Sequence, residues 1–187
     1  MSVSTVIGDI TETLHDVLQN AQQPLNTFDV SLLSPVDENI DSTMRPRINL
    51  FLLRVQEDPF ARNQDWNPSG FGALEYPPLA LDLLYLVTAF AADKLDEYRV
   101  LGEAMRVLHD NSILQGAVLR GSLQNTAEEL KVDLCQFSLE DLTKIWNAFS
   151  RPLRLSVCYE VRMALIDSTQ RRQVRRVTSK IDQFSQI

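Results

Sequence analysis

The sequence predicts an α+β fold in one domain, and three observations carry that prediction. Two stretches, 48–55 and 77–92, are apolar on both faces of a period-two reading. A third, 154–166, alternates strictly between apolar and polar residues. Between them lie segments whose apolar residues recur by threes and fours. Strands that follow one another without a helical crossover pair antiparallel, and the helices are then free to cover the sheet. The chain has 187 residues, 44% hydrophobic and 23% charged, which is one domain's length with a core of ordinary size.

Residues 3–21 open the chain as a helix. Val3, Ile7, Ile10, Leu14, Val17 and Leu18 form its stripe, Ser2 or Ser4 is available to cap it, and Pro24 lies just beyond its end. Phe28, Val30 and Leu32 then alternate through a short strand, followed by a polar loop over 34–47. The run INLFLLRV at 48–55 reads as a strand beside the central one.

The next stretch, QEDPFARNQDWNPSGFGALEYPP at 56–78, carries no periodicity, and a loop of that length in a compact domain is usually functional or flexible. Trp66, Phe71 and Tyr76 stand in it among Pro68, Gly70 and Gly72. They either pin the excursion down or bind a partner, because exposed aromatics dominate interface energetics.

Residues 77–92, PPLALDLLYLVTAFAA, form the predicted central strand. The apolar run is shorter than the roughly 20 residues a bilayer-spanning helix needs, and the two leading prolines favour an extended start. Leu79, Leu81, Leu83, Tyr85, Val87 and Ala89 share one face; Ala80, Leu84, Leu86 and Phe90 share the other with Asp82 and Thr88.

Asp93 caps a helix predicted to run to residue 114, with Leu95, Tyr98, Leu101, Met105 and Leu108 inward. A strand over 130–137 follows. Ser138 and Asp141 then make a capping box for a helix ending near 149, with Leu139, Leu142, Ile145, Trp146 and Phe149 buried. In the last strand Leu155, Val157, Tyr159, Val161, Met163 and Leu165 point to a core. Arg154, Ser156, Cys158, Glu160 and Arg162 point to water or a neighbour.

The reading divides the chain into a domain over 1–168 and a basic arm over 169–187. In the arm, Arg171, Arg172, Arg175, Arg176 and Lys180 are interleaved with Val174, Val177, Ile181 and Phe184 at helical spacing. Its sign opposes the net charge of −7, which itself argues against a broad nucleic-acid footprint. The arm is a solvated tail or a docking arm for an acidic partner.

The N-terminus lacks a basic segment followed by an apolar one, so no secretory signal is expected. Cys135 and Cys158 read as reduced, apolar core residues. His15 and His109 both sit on predicted helices where a surface or end role suffices. No catalytic or metal-binding motif occurs, so no catalytic residue, metal or cofactor is assigned. Asp82 and Glu160 are a nominal carboxylate pair, expected to be neutralised by Arg54, Arg154 or Arg162.

Taken in order and spacing, INLFLLRVQEDPFARN, PPLALDLLYLVTAFAAD, LGEAMRVLHDNSIL, SLEDLTKIWNAF and PLRLSVCYEVRMALIDS resemble the cap, or tail-terminator, family of extracellular contractile injection systems. These are phage-tail-like particles with an inner tube and a contractile sheath. The resemblance spans about Val3 to Ser168 and matches least in the 63–76 loop and after Ser168.

It implies a mainly antiparallel twisted sheet flanked by helices, similar to phage tail terminators. It also implies a non-enzymatic hexameric ring that ends the tube and sheath and ties them together. A particle that can be released follows from the same resemblance, while assembly in the cytoplasm and the absence of nucleic-acid or direct membrane binding are expectations from the missing secretory signal, the net charge and the shortness of the apolar run. Other readings are another ring of the same particle, such as a tube initiator near the baseplate, or a monomeric adaptor domain.

Overall fold

The computed structural model describes residues 4–22, 27–38, 45–62, 64–69 and 72–173. The elements in chain order are α1 (Val6–Asn20), β1 (Asp29–Ser31), β2 (Arg47–Glu57), β3 (Asn67–Ser69), β4 (Ala73–Glu75), β5 (Leu79–Phe90), α2 (Lys94–Asp110), β6 (Ile113–Gln115), β7 (Glu129–Cys135), α3 (Leu139–Ala148), β8 (Ser156–Ile166) and β9 (Arg171–Gln173). A six-stranded sheet runs β1-β2-β5-β8-β7-β6, and a three-stranded sheet runs β3-β4-β9. The α+β expectation is borne out. One pairing differs: β1 runs parallel to β2, where neighbouring strands were expected to be antiparallel.

β5 occupies the centre of the large sheet because it is apolar on both sides, and all but its first residue are buried. The two faces match the sequence reading. Leu81, Leu83, Tyr85, Val87 and Ala89 join one large cluster with Ile10, Leu14 and Leu18 of α1 and with Val100, Ala104 and Val107 of α2. We call this side face A. Leu84 and Leu86 point the other way, to face B, where they meet Cys158 and Trp146 of α3. Face A is tied at its centre by the Tyr85 hydroxyl, 2.8 Å from Thr11 Oγ1. On face B the Trp146 indole donates to Ser156 Oγ at 3.3 Å, and Ser156 lies 2.9 Å from Thr88 Oγ1.

The helix starts differ in how closely they follow the expected caps. Asp93 accepts from the Leu95 amide at 2.9 Å, and Ser138 and Asp141 form the reciprocal capping box. α1 instead begins after Thr5, which makes no side-chain cap; Ser2 lies outside the described residues.

Other expectations need correction. α2 stops at Asp110, and Ile113–Gln115 turns into an edge strand on β7. Leu95 and Tyr98 are exposed rather than buried, because α2 turns Val100, Ala104 and Val107 inward together with Leu101 and Leu108. The rotation also brings in Glu97 and Glu103, and buried charges need partners. Glu97 is held by Lys94 and by Arg154, and Glu103 by Arg106. Leu139 is exposed at the start of α3.

A bulge shifts the register of β8 against β5, so Leu81 pairs with Ala164 but Leu83 with Val161. Beyond it Ala164 and Ile166, rather than Leu165, continue the face-A core.

A short helical turn, Gly121–Leu123, is clamped onto α1. Asp9 Oδ2 accepts from the Ser122 amide at 3.1 Å and from its hydroxyl at 2.5 Å, and Arg120 donates to Asp16 at 2.7 Å. Burial opposes ionisation of Asp9, but the bonds from Ser122 and Thr5 outweigh it and hold its carboxyl below the ordinary value.

Candidate partner-binding surface

The non-periodic loop after β2 builds a separate end of the molecule. β2 is continued by a tight turn: the Asp58 amide donates to Ala80 O at 3.0 Å, stapling the turn to the start of β5. Asp58 Oδ1 accepts from the Phe60 amide at 2.8 Å, Ala61 N donates to Asp58 O at 3.2 Å, and Arg62 pairs with Glu57 at 2.9 Å. An Asp-Pro pair suits such a turn, since the aspartate bonds the backbone two residues on and the proline presets its φ. The turn holds the Phe60 ring 96% exposed.

Beyond it, β3 and β4 pair antiparallel and β9 adds to β4, with Leu74 opposite Arg172 and Glu75 opposite Arg171. The return from β4 is fixed by the Tyr76 amide on Gln170 O at 3.1 Å and by Arg171 on Glu75 at 2.9 Å. Trp66 and Tyr76 meet edge to face, ring centres 5.2 Å apart. A cleft of about 460 Å3 separates this end from the large sheet, bordered by Arg62, Tyr76, Leu79 and Ile166.

The predicted site residues fall as follows. Trp66 is half-buried against Tyr76, which is itself exposed, so the pair both pins the loop and leaves an aromatic surface. Arg171 and Arg172 are exposed on β9, and Arg171 is already matched by Glu75. Phe71, Arg175, Arg176 and Lys180 lie outside the described residues.

The polar side of β8, expected to meet water or a neighbour, is largely interior. Ser156 and Cys158 are buried, and Arg154 stacks 4.6 Å over Phe90 while pairing with Glu97. Burial, with Cys135 beside it, pushes the Cys158 thiol up to about 12. Burial first, and then the Glu160 charge, raises the Cys135 thiol too, so neither presents a thiolate near neutral pH.

The expected neutralisation of the two strand carboxylates is only half realised. Arg162 reaches Glu160 at 3.0 Å and Asp133 at 3.2 Å. Among the described residues no arginine forms an ion pair with Asp82. It is 6% exposed, and its Oδ1 is buried without a hydrogen bond. Burial foremost, then the charges of Glu160 and Asp58, hold its carboxyl above the ordinary value against a bond from Gln56.

Two features escaped the sequence reading. Phe60 is one; its signal was an aromatic directly after Asp-Pro with no periodic partner. The other is an apolar groove of about 400 Å3 on face B, floored by Leu53, Leu84, Phe137, Ile145 and Phe149 and edged by Arg54, Lys144 and Ala148. It exists because α3, at 10 residues, is too short to cover the sheet it packs on.

Among solved structures, the chain is similar to the PVC sheath/tube terminator of an extracellular contractile injection system in its extended state. The identity is 18% over 100% of this chain and 65% of that one, with a TM-score of 0.67. It is also similar to the anti-feeding prophage cap, a tube terminating cap. There the identity is 17% over 98% of this chain and 62% of that one, with a TM-score of 0.63. The chain thus spans somewhat under two thirds of the length of each. Comparison with curated proteins finds no match. A family model matches residues 9–180, and the chain belongs to the Pvc16 N-terminal domain family.

Proposed function

We propose that the protein is a structural cap of a contractile injection particle. It forms a six-membered ring at the end away from the baseplate, stops further addition of tube and sheath subunits, and ties the two cylinders together. The observation that carries the reading is a fold shared over essentially the whole chain with two terminators of such particles, joined to membership of the family.

The mechanism is steric and involves no turnover. A ring that matches the last tube layer below and offers no addition site above ends growth. The ring is built by head-to-tail contacts, in which one patch meets a different patch on the next copy. Assembly takes place in the cytoplasm before any release of the particle, and nucleic acid and membrane are not partners.

The β3-β4-β9 end supplies the contact to tube or sheath. Its aromatic surface at Tyr76 and its exposed arginine Arg172 suit an acidic partner surface, and Arg175, Arg176 and Lys180 follow in the sequence with the same charge.

The test adds purified protein to growing tubes and sheaths of the cognate particle and measures their lengths. Shortened assemblies bearing the protein at one end support the reading; unchanged lengths and no end density overturn it. Replacing Arg171, Arg172, Arg175 and Arg176 by Ser is expected to strip the cap from particles at moderate salt. Full retention removes the basic arm from the account.

A further inference from the structure

The most anomalous side chain in the described structure is Phe60. An aromatic ring 96% exposed is unusual in itself, and here the backbone beneath it is fixed by three hydrogen bonds and an ion pair. Rigid presentation of a large apolar group to solvent gains the isolated chain nothing, but it lowers the entropy lost when the ring is buried in an interface. The groove on face B is the complementary anomaly, an apolar floor left open beside α3.

Charge makes the two features fit each other. Asp58 uses one carboxylate oxygen on the Phe60 amide, which leaves its charge beside the ring for a cation. The groove rim carries Lys144 and Arg54; Lys144 reaches Glu140 on its own helix, whereas Arg54 is exposed and makes no ion pair among the described residues. In a chain of net charge −7, a cationic rim on an apolar groove is a selective feature. The near-complete exposure of Phe60 shows that it does not fill the groove of its own chain.

We propose that Phe60 of one copy seats in the groove between β2 and α3 of the next copy, with Asp58 facing Arg54 and Lys144. Knob and groove are different patches, so each copy gives one and receives one. That heterologous contact propagates and closes into a ring. The proposal rests on the ring reading above and names the interface that makes the ring.

The experiment is mass measurement in solution on the full chain. Phe60→Ser removes the knob, and Ala148→Trp fills the groove from an exposed position at the end of α3; circular dichroism and melting confirm that both remain folded. Wild type is expected as a closed multimer and each variant as a single copy. An equimolar mixture is expected to give a complex of two copies and nothing larger, because one variant retains only a groove and the other only a knob.

Variants that still assemble as wild type does would overturn this contact while leaving the ring intact. A wild type that is a single copy throughout, yet caps particles, would assign Phe60 to a tube or sheath surface and sink the self-contact without touching the terminator reading. A wild-type species of two copies only would replace the head-to-tail contact by a reciprocal one.

Discussion

The two faces of the large sheet are built from the same strands and come out differently. Face A is closed by α1 and α2 into one continuous cluster, and the clamp between Asp9 and the Ser122 segment holds α1 at its margin. Face B gathers an apolar cluster of only four buried residues, one of them Trp146 of the short helix itself, and leaves an apolar groove, an exposed arginine and, among the described residues, a carboxylate without an ion pair. The difference teaches where stability and assembly are separated. Face A satisfies its apolar surface within the chain, whereas face B and the loop end leave surface that only another molecule can cover.

Adjacent residues of β5 give the sharpest test of that separation. Leu83→Ala on face A leaves a cavity walled on all sides and is expected to cost about 3–4 kcal/mol in urea unfolding. Leu84→Ala, on the floor of the open groove, is expected to cost about 2 kcal/mol, because one side of the site is already solvent. Equal costs would mean that the groove is closed in solution.

The clamp offers a second comparison, between two glycines with positive φ. A Cβ on Gly121 would stand 2.2 Å from Asp9 Oδ1, whereas one on Gly116 meets nothing within 4 Å. Gly116→Ala should cost about 1 kcal/mol from backbone strain alone, and Gly121→Ala distinctly more, since the clamp must open. Similar melting shifts for the two would remove the clamp from the account of face A.

Asp82 reports on face B through pH. Its native carboxyl titrates above the ordinary value of 3.8, so the native state keeps the proton that the unfolded chain loses. Stability from this group is therefore greatest below that ordinary value and is lost as pH rises through the raised native one. Asp82→Asn should raise the melting temperature at pH 7, with the gain shrinking on acidification toward pH 4. A lower melting temperature at pH 7 would reveal a partner for the ionised carboxylate.

The smallest expected effect on stability is that of Phe60→Ser, within about 0.5 kcal/mol, as for a surface position. Its loss of self-association is what carries weight. A large destabilisation would show that the ring packs within its own chain.

The parts legible in the sequence are those whose burial is decided locally. The two-sided apolar run of β5, the stripe of α1 from Ile7 to Leu18 and the capping box of α3 each carry their own signal, and each stands where it was predicted; Val3, the first residue of that stripe, lies outside the described residues. The three-residue strands β3, β4 and β9 carry no such signal. Their pairing joins Glu75 to Arg171 across about half of the chain, and nothing in so short a segment encodes a partner that distant. The outward turn of Leu95 and Tyr98 was hidden for a related reason. The stripe through Leu95 and Tyr98 is a valid helical pattern, and only the ion pair between Glu97 and Arg154, formed by tertiary packing, shows which stripe is inside. The aromatic loop is legible in the sequence, but the exposure of Phe60 is not, because isolated apolar residues in loops carry no period.

The central claim is that this protein ends the tube and sheath, and the most direct measurement is imaging of particles from cells that lack it. Overlong, ragged or unstable assemblies without density at the end away from the baseplate are what the account predicts. Particles of normal length with intact ends would contradict it.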